Sequence, residues 1–182
     1  MKKQVKNFIS IALGSSLVLL LTLLSSNSNS NTKEDFWQYK KWTKVNQTPT
    51  RMADFVAIQC AAPNLKITST ANPHIDKFIT VYVNDIGKAA MFSQNPKFPV
   101  GSIIVKEKLP TPTANPELMT VMIKQQSGFN PESGDWEYLV LDPVKSSIVE
   151  RGKLERCNSC HLEKKDSDFI FRTYYYLNKT HS

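Results

Sequence analysis

Lys77-Phe78-Ile79-Thr80-Val81-Tyr82-Val83 is rich in β-branched and aromatic residues and alternates with a period of two. Side chains of a strand point to opposite faces in turn, so this stretch reads as a strand with two distinct sides. The same signal returns downstream. Asn84 to Phe92 breaks the alternation and reads as a short helix, with Asn84 or Asp85 as its cap. After a turn marked by Pro96 and Pro99, Gly101-Ser102-Ile103-Ile104-Val105-Lys106-Glu107-Lys108-Leu109 is the next strand. Pro110, Pro112 and Pro116 make the following segment a loop. Glu117 to Gln125 is apolar on both faces, as in a central strand covered twice. Asn130 to Gly134 is a turn, and Asp135 to Leu141 is a strand with Trp136, Tyr138 and Val140 on one face. Glu150 to Lys165 reads as a helical region, and Phe169 to Leu177 as a closing extended segment. The expected fold class is mainly β (α+β), a mostly antiparallel sheet with a few helices.

Upstream, the aromatics of Lys33 to Val45 fall at helical spacings, which predicts a short amphipathic helix docked on the body. Pro49 ends it, and Met52 to Ala62 is a second apolar stretch. Residues 1–26 have the layout of a secretory signal: Lys2, Lys3 and Lys6, then an apolar run from Phe8 to Leu24. No cysteine lies near the end of the run, so a lipid anchor is not indicated; an uncleaved anchor is the alternative, because the run approaches spanning length. Residues 27–32 are a flexible Ser/Asn tether, and residues 33–182 are expected to form one domain. Either reading puts the folded part in the periplasm or otherwise outside the cytoplasm.

The formal charge of +7 overstates the basicity of the mature chain. Three lysines leave with the signal, and 20 basic residues against 16 acidic ones remain. With no arginine-rich cluster and no nucleic-acid motif, nucleic acid is not an expected partner. A weakly acidic redox protein is a candidate partner.

Cys157-Asn158-Ser159-Cys160-His161 carries the chemistry. Two thiols one helical turn apart reach the two vinyl groups of a single haem as thioethers, and the next residue offers an imidazole to the iron. This C-x-x-C-H spacing is the attachment signature of haem c. Three other uses of the pair compete. Structural zinc needs four ligands, usually from two separated pairs, and the chain has no second C-x-x-C. A thioredoxin-like dithiol would follow an early strand in a βαβ unit. A disulfide between the two is uncommon at this spacing. Cys60, among Ala57, Ile58, Ala61 and Ala62, is the odd cysteine: a buried inert thiol or an intermolecular disulfide.

The sixth iron position decides what such a haem does. His74, Met91, Met119 and Met122 are the candidate ligands, each with a commoner role as loop histidine or core methionine. Arg172, in an aromatic segment, calls for an anion: a haem propionate or Asp168. Trp136, Tyr138, Phe171 and Tyr174 are candidate walls of the haem or plain core aromatics.

Phe98-Pro99-Val100-Gly101-Ser102-Ile103-Ile104-Val105-Lys106-Glu107, then Gly134-Asp135-Trp136, Cys157 to His161 and Asp168-Phe169-Ile170-Phe171-Arg172 resemble, in order and spacing, the cytochrome P-460 family. Thr80 to Val83 matches as well, and the resemblance runs from about Asp76 to Leu177. It implies an exported mono-haem protein, a homodimer, on an antiparallel β fold rather than the helical cytochrome c fold. Some members oxidise hydroxylamine; a sister group, the β-type cytochromes c-prime, binds nitric oxide. The resemblance makes Lys106 the lysine that joins the haem edge, against its ordinary fate as a solvated strand lysine. It also places Thr120 where hydroxylamine-oxidising members keep a pocket carboxylate. Glu117 is three residues away, an odd offset that sends it to the other face, and a threonine hydroxyl is no base near neutral pH. The resulting expectation is a cytochrome that binds and redox-processes a small nitrogen oxide, nitric oxide or hydroxylamine, at an open distal site with Thr120, Met122 and His74 as pocket candidates. A six-coordinate electron-transfer cytochrome is the alternative.

Overall fold

A computed structural model describes residues 35–52 and 77–172. The segments expected to be signal and tether, Cys60, His74, Tyr174 and the apolar stretch after Met52 lie outside the described residues. Among those described, seven strands form one antiparallel sheet: β1 (Thr43–Lys44), β2 (Thr50–Arg51), β3 (Phe78–Val83), β4 (Ile103–Leu109), β5 (Leu118–Lys124), β6 (Trp136–Asp142) and β7 (Ser147–Gly152). Their order is β1-β3-β4-β5-β6-β7, with β2 also paired to β3. The mainly β, antiparallel expectation holds.

Register runs straight across the centre. Val81 faces Lys106, Lys106 faces Thr120, and Thr120 faces Val140. Opposed residues share a face, so these four side chains form one row. Beyond it, the register shifts at Val140/Leu141, where β6 meets β7.

Each sheet face carries its own core. One gathers Ile79, Val81, Val83, Ile104, Met122, Trp136 and Tyr138 with Met91, Phe98, Phe169 and Ile170. The other gathers Tyr82, Ile103, Val105, Met119, Val121, Ile123, Leu139 and Leu141 with Phe36 and Tyr39. β5 is buried along almost its whole length, as its apolar reading on both faces predicts.

The first face is covered in part by α1 (Asp85–Phe92), whose N-cap is Asn84. The Asn84 side chain accepts from the N–H groups of Gly87 and Ile103 and donates to the Gly101 carbonyl, tying helix start to strand start. A second asparagine works the same way. Buried Asn46 accepts from the Val81 N–H and donates to the Ile79 carbonyl, replacing a backbone rung between β1 and β2.

The second face is covered by a 3-10 helix, Asp35–Lys41, where an amphipathic helix was expected. Three residues per turn align Phe36 and Tyr39 on its buried side. Tyr39 donates to Glu107, a carboxylate only 2% exposed, and Lys40 pairs with the same group. Burial, and then the Glu107 hydrogen bond, push the Tyr39 hydroxyl above the usual tyrosine range.

Two sequence expectations fail here. Glu150 belongs to β7, not to a helical region; β7 is a half-exposed edge strand whose charged residues hide its alternation. Phe169 to Arg172 is irregular rather than extended, because Asp168 (φ 52°) and Phe169 (φ 65°) are both left-handed.

Tyr39→Phe removes the buried donor to Glu107 and should lower stability by about 1–3 kcal/mol in urea unfolding. In the unmodified protein, a phenol whose pKa is raised by folding stabilises fully below about pH 10 and loses that contribution as pH rises further. The stability decrease above pH 10 should therefore shrink in the variant.

Candidate functional site

The C-x-x-C-H run forms α2 (Glu155–His161). Spacings of three and four residues put Cys157, Cys160 and His161 on one side of that helix. Cys157 packs against the first-face core, and neither Cys157 nor Cys160 is in a disulfide.

Two contacts hold α2 to the sheet. Asn130 donates to Asn158, between the two cysteines, at 3.1 Å and to the Trp136 carbonyl at 3.0 Å. Arg156 makes a two-pronged pair with Glu150, both distances 2.7 Å, and Glu150 is opposite Val140 in the ladder. Such fork-to-fork pairs fix orientation as well as distance.

His161 is the most constrained side chain of the group. Its Nδ1 donates to the Phe169 carbonyl at 2.6 Å. The ring is packed between Tyr138 (centroids 5.4 Å apart) and Phe171 (5.1 Å, edge-on). Part of the residue remains exposed, yet burial of the ring pushes its pKa down to about 4, opposed by the Phe169 bond and assisted by the Lys106 ammonium. A neutral imidazole protonated at Nδ1 leaves the Nε2 lone pair for a metal. Tyr138 has its hydroxyl pushed up to about 12 by burial and shares a hydrogen bond with Ser133, so it stays a phenol.

Lys106 lies on this side of the sheet, half-buried in the row with Val81 and Thr120. Its ammonium acts electrostatically on His161 from the β4 side. Met122 is a core residue between Ile104 and Tyr138, and Met91 is fully buried in α1. Met119 is in the core of the opposite face, which removes it from the candidate ligands. Glu117 is paired with buried Lys77 at 2.8 Å. Arg172 is buried and donates to the Ser93 carbonyl at 2.6 Å, while Asp168, the acid considered for it, pairs with Lys124. Trp136 is wholly buried, edge-on to Phe98, and donates to the Asp168 carbonyl.

The family model for cytochrome P460 matches residues 38–172, spanning both the sheet and α2. The chain belongs to the cytochrome P460 family. It is thereby a haem c cytochrome by family. No individual curated protein matches the sequence.

The residues present fit the cofactor of a P460 cytochrome. Two thiols outside any disulfide and a neutral imidazole presented from the same helix are the donor set that a thioether-bound haem requires. Among the described residues no three His, Cys, Asp or Glu side chains gather into a metal-holding cluster, whereas haem iron asks the protein for a single imidazole.

Sequence reasoning missed the groups that orient the site. Asn130, Asn158, Glu150 and the Phe169 carbonyl carry no motif of their own, and a carbonyl has no sequence signature at all. Gly134 was visible as a turn residue and as part of the Gly134-Asp135-Trp136 family segment, not as a packing constraint. It has φ +65°, and a Cβ there would lie 2.4 Å from the Phe169 ring. Gly134→Ala should displace Phe169 and cost about 1–3 kcal/mol, measured as a lower unfolding midpoint of the haem-loaded protein.

Proposed function

We propose that Cys157 and Cys160 hold one haem c through thioethers, that His161 ligates its iron, and that the site binds and redox-processes a small nitrogen oxide at an open distal position. The hydrogen bond from His161 Nδ1 to the Phe169 carbonyl carries this reading, because it selects the tautomer and aims Nε2. Haem c supplies an iron that binds nitrogen oxides and exchanges electrons with them.

The rest is done by side chains of the Lys106 row. Lys106 is the haem contact on the sheet side and the group suited to a cross-link at the haem edge. Thr120, its ladder partner, offers a hydroxyl that hydrogen-bonds a small polar ligand without acting as a base. Glu150, opposite Val140 at the end of the row, is taken up by Arg156, and Glu117 by Lys77, which favours ligand binding and electron exchange over steps that need a pocket base. Packing of Met91 and Met122 into the core, and of Met119 on the far face, supports an open sixth position. The signal-like residues 1–26 and the family resemblance support action outside the cytoplasm as a homodimer.

The test is the ferrous spectrum of protein matured with haem-attachment machinery, with and without carbon monoxide. An open site gives a high-spin spectrum and binds carbon monoxide readily, and His161→Ala removes that spectrum. A sharp low-spin spectrum with poor carbon monoxide binding would replace this reading with six-coordinate electron transfer.

Lys106→Leu separates contact from cross-link. A cross-linked protein shows a broad, red-shifted Soret band that the variant converts to that of an ordinary high-spin haem c. An unmodified protein with the ordinary band already would leave Lys106 as a pocket contact and remove the cross-link.

A further inference from the structure

The Phe169 carbonyl belongs to a short segment that the chain would not hold unaided. Asp168 and Phe169 are consecutive left-handed residues, and neither is glycine. Such a backbone persists only where its surroundings over-determine it.

The surroundings here are specific. Lys124, at the end of β5, places its ammonium 2.8 and 2.9 Å from the two carboxylate oxygens of Asp168. The side chains of Lys124 and Asp168 are only 13% and 9% exposed, so the pair is weakly screened by solvent. The same carboxylate accepts the Phe98 N–H at 2.8 Å. The Asp168 carbonyl accepts Trp136 Nε1 at 2.9 Å, and the Lys124 ammonium sits 5.0 Å over the Trp136 ring. Phe169 N–H donates to the Lys164 carbonyl, closing the segment onto the 3-10 turn (Leu162–Ser167) that follows α2. β5, β6 and the segment before β4 thus converge on one aspartate, and the next residue's carbonyl receives the histidine proton.

We infer that the Lys124–Asp168 ion pair is a positioning device for His161: it holds the Phe169 carbonyl at hydrogen-bonding distance from Nδ1 and so sets the donor strength of Nε2 toward iron. This rests on the reading of His161 as the iron ligand. A strong Nδ1–H···O bond makes the imidazole a more basic ligand, which favours ferric iron and stiffens the iron–histidine bond. Loosening the segment weakens that bond, so the midpoint potential rises and the iron–histidine stretching frequency falls.

Lys124→Met and Asp168→Asn test this in the haem-loaded protein, because they change the local charge in opposite senses. Acting as charges alone, loss of the cation would lower the midpoint potential and loss of the anion would raise it. Acting through the segment, both variants raise the potential, and both shift the iron–histidine Raman band of the ferrous protein downward. Lys124→Arg, which keeps the pair, restores both values toward those of the unmodified protein. Asp168→Asn is nearly isosteric and keeps an oxygen for the Phe98 N–H, so it carries the Raman test alone if Lys124→Met does not fold. Opposite potential shifts with an unmoved band, or a loss of thermal stability with neither readout changed, would overturn the positioning role. An unmodified ferrous protein that is high-spin yet shows no iron–histidine band would instead overturn the His161 reading and the device with it.

Discussion

A strand must present successive side chains to opposite sides, and β4 is where that constraint matters most in this protein. Lys106 and Glu107 are neighbours in the chain, yet one enters the row beside His161 and the other is buried with Tyr39 under the opposite core. A one-residue slip of β4 would exchange them, burying a lysine among aromatics and leaving a carboxylate beside the histidine. The ladders to β3 and β5 hold that register along the strand's full length, so the site and the second core depend on the same backbone hydrogen bonds.

Three buried charges are handled in one way. Glu107 is met by Tyr39 and Lys40, Lys77 by Glu117, and Asp168 by Lys124 together with a backbone N–H. Removing one partner from such a group is far costlier than the pair is worth, because the remaining charge is left in a poorly solvated place. The distribution of these pairs suits the architecture: one locks the 3-10 helix, one the β3–β5 margin, one the turn behind the histidine.

Helix α2, which carries the C-x-x-C-H run, is short and has no side-chain cap, so it could not stand by itself. It is held from outside, by Asn130 through Asn158, by Glu150 through Arg156, and by Phe169 through His161. The orientation of its two thiols and its imidazole is therefore imposed by the contacts around the helix.

Much of this was legible in the residues. Period-two runs marked β3 to β6, Asn84 announced α1, and the C-x-x-C-H spacing with its companion segments pointed to a P460 cytochrome, because these signals are local and written in side chains. Strand β7 was not legible, since an exposed edge strand needs no apolar alternation, and neither was the departure of Phe169 to Arg172 from extended form, since left-handed residues other than glycine leave no compositional mark. What only the tertiary structure decided is which distant groups meet: Tyr39 with Glu107, Lys124 with Asp168, and the Phe169 carbonyl with Nδ1. Sequence determines the inventory and the alternation; sheet register and chain crossings, which depend on the whole core packing at once, determine the encounters.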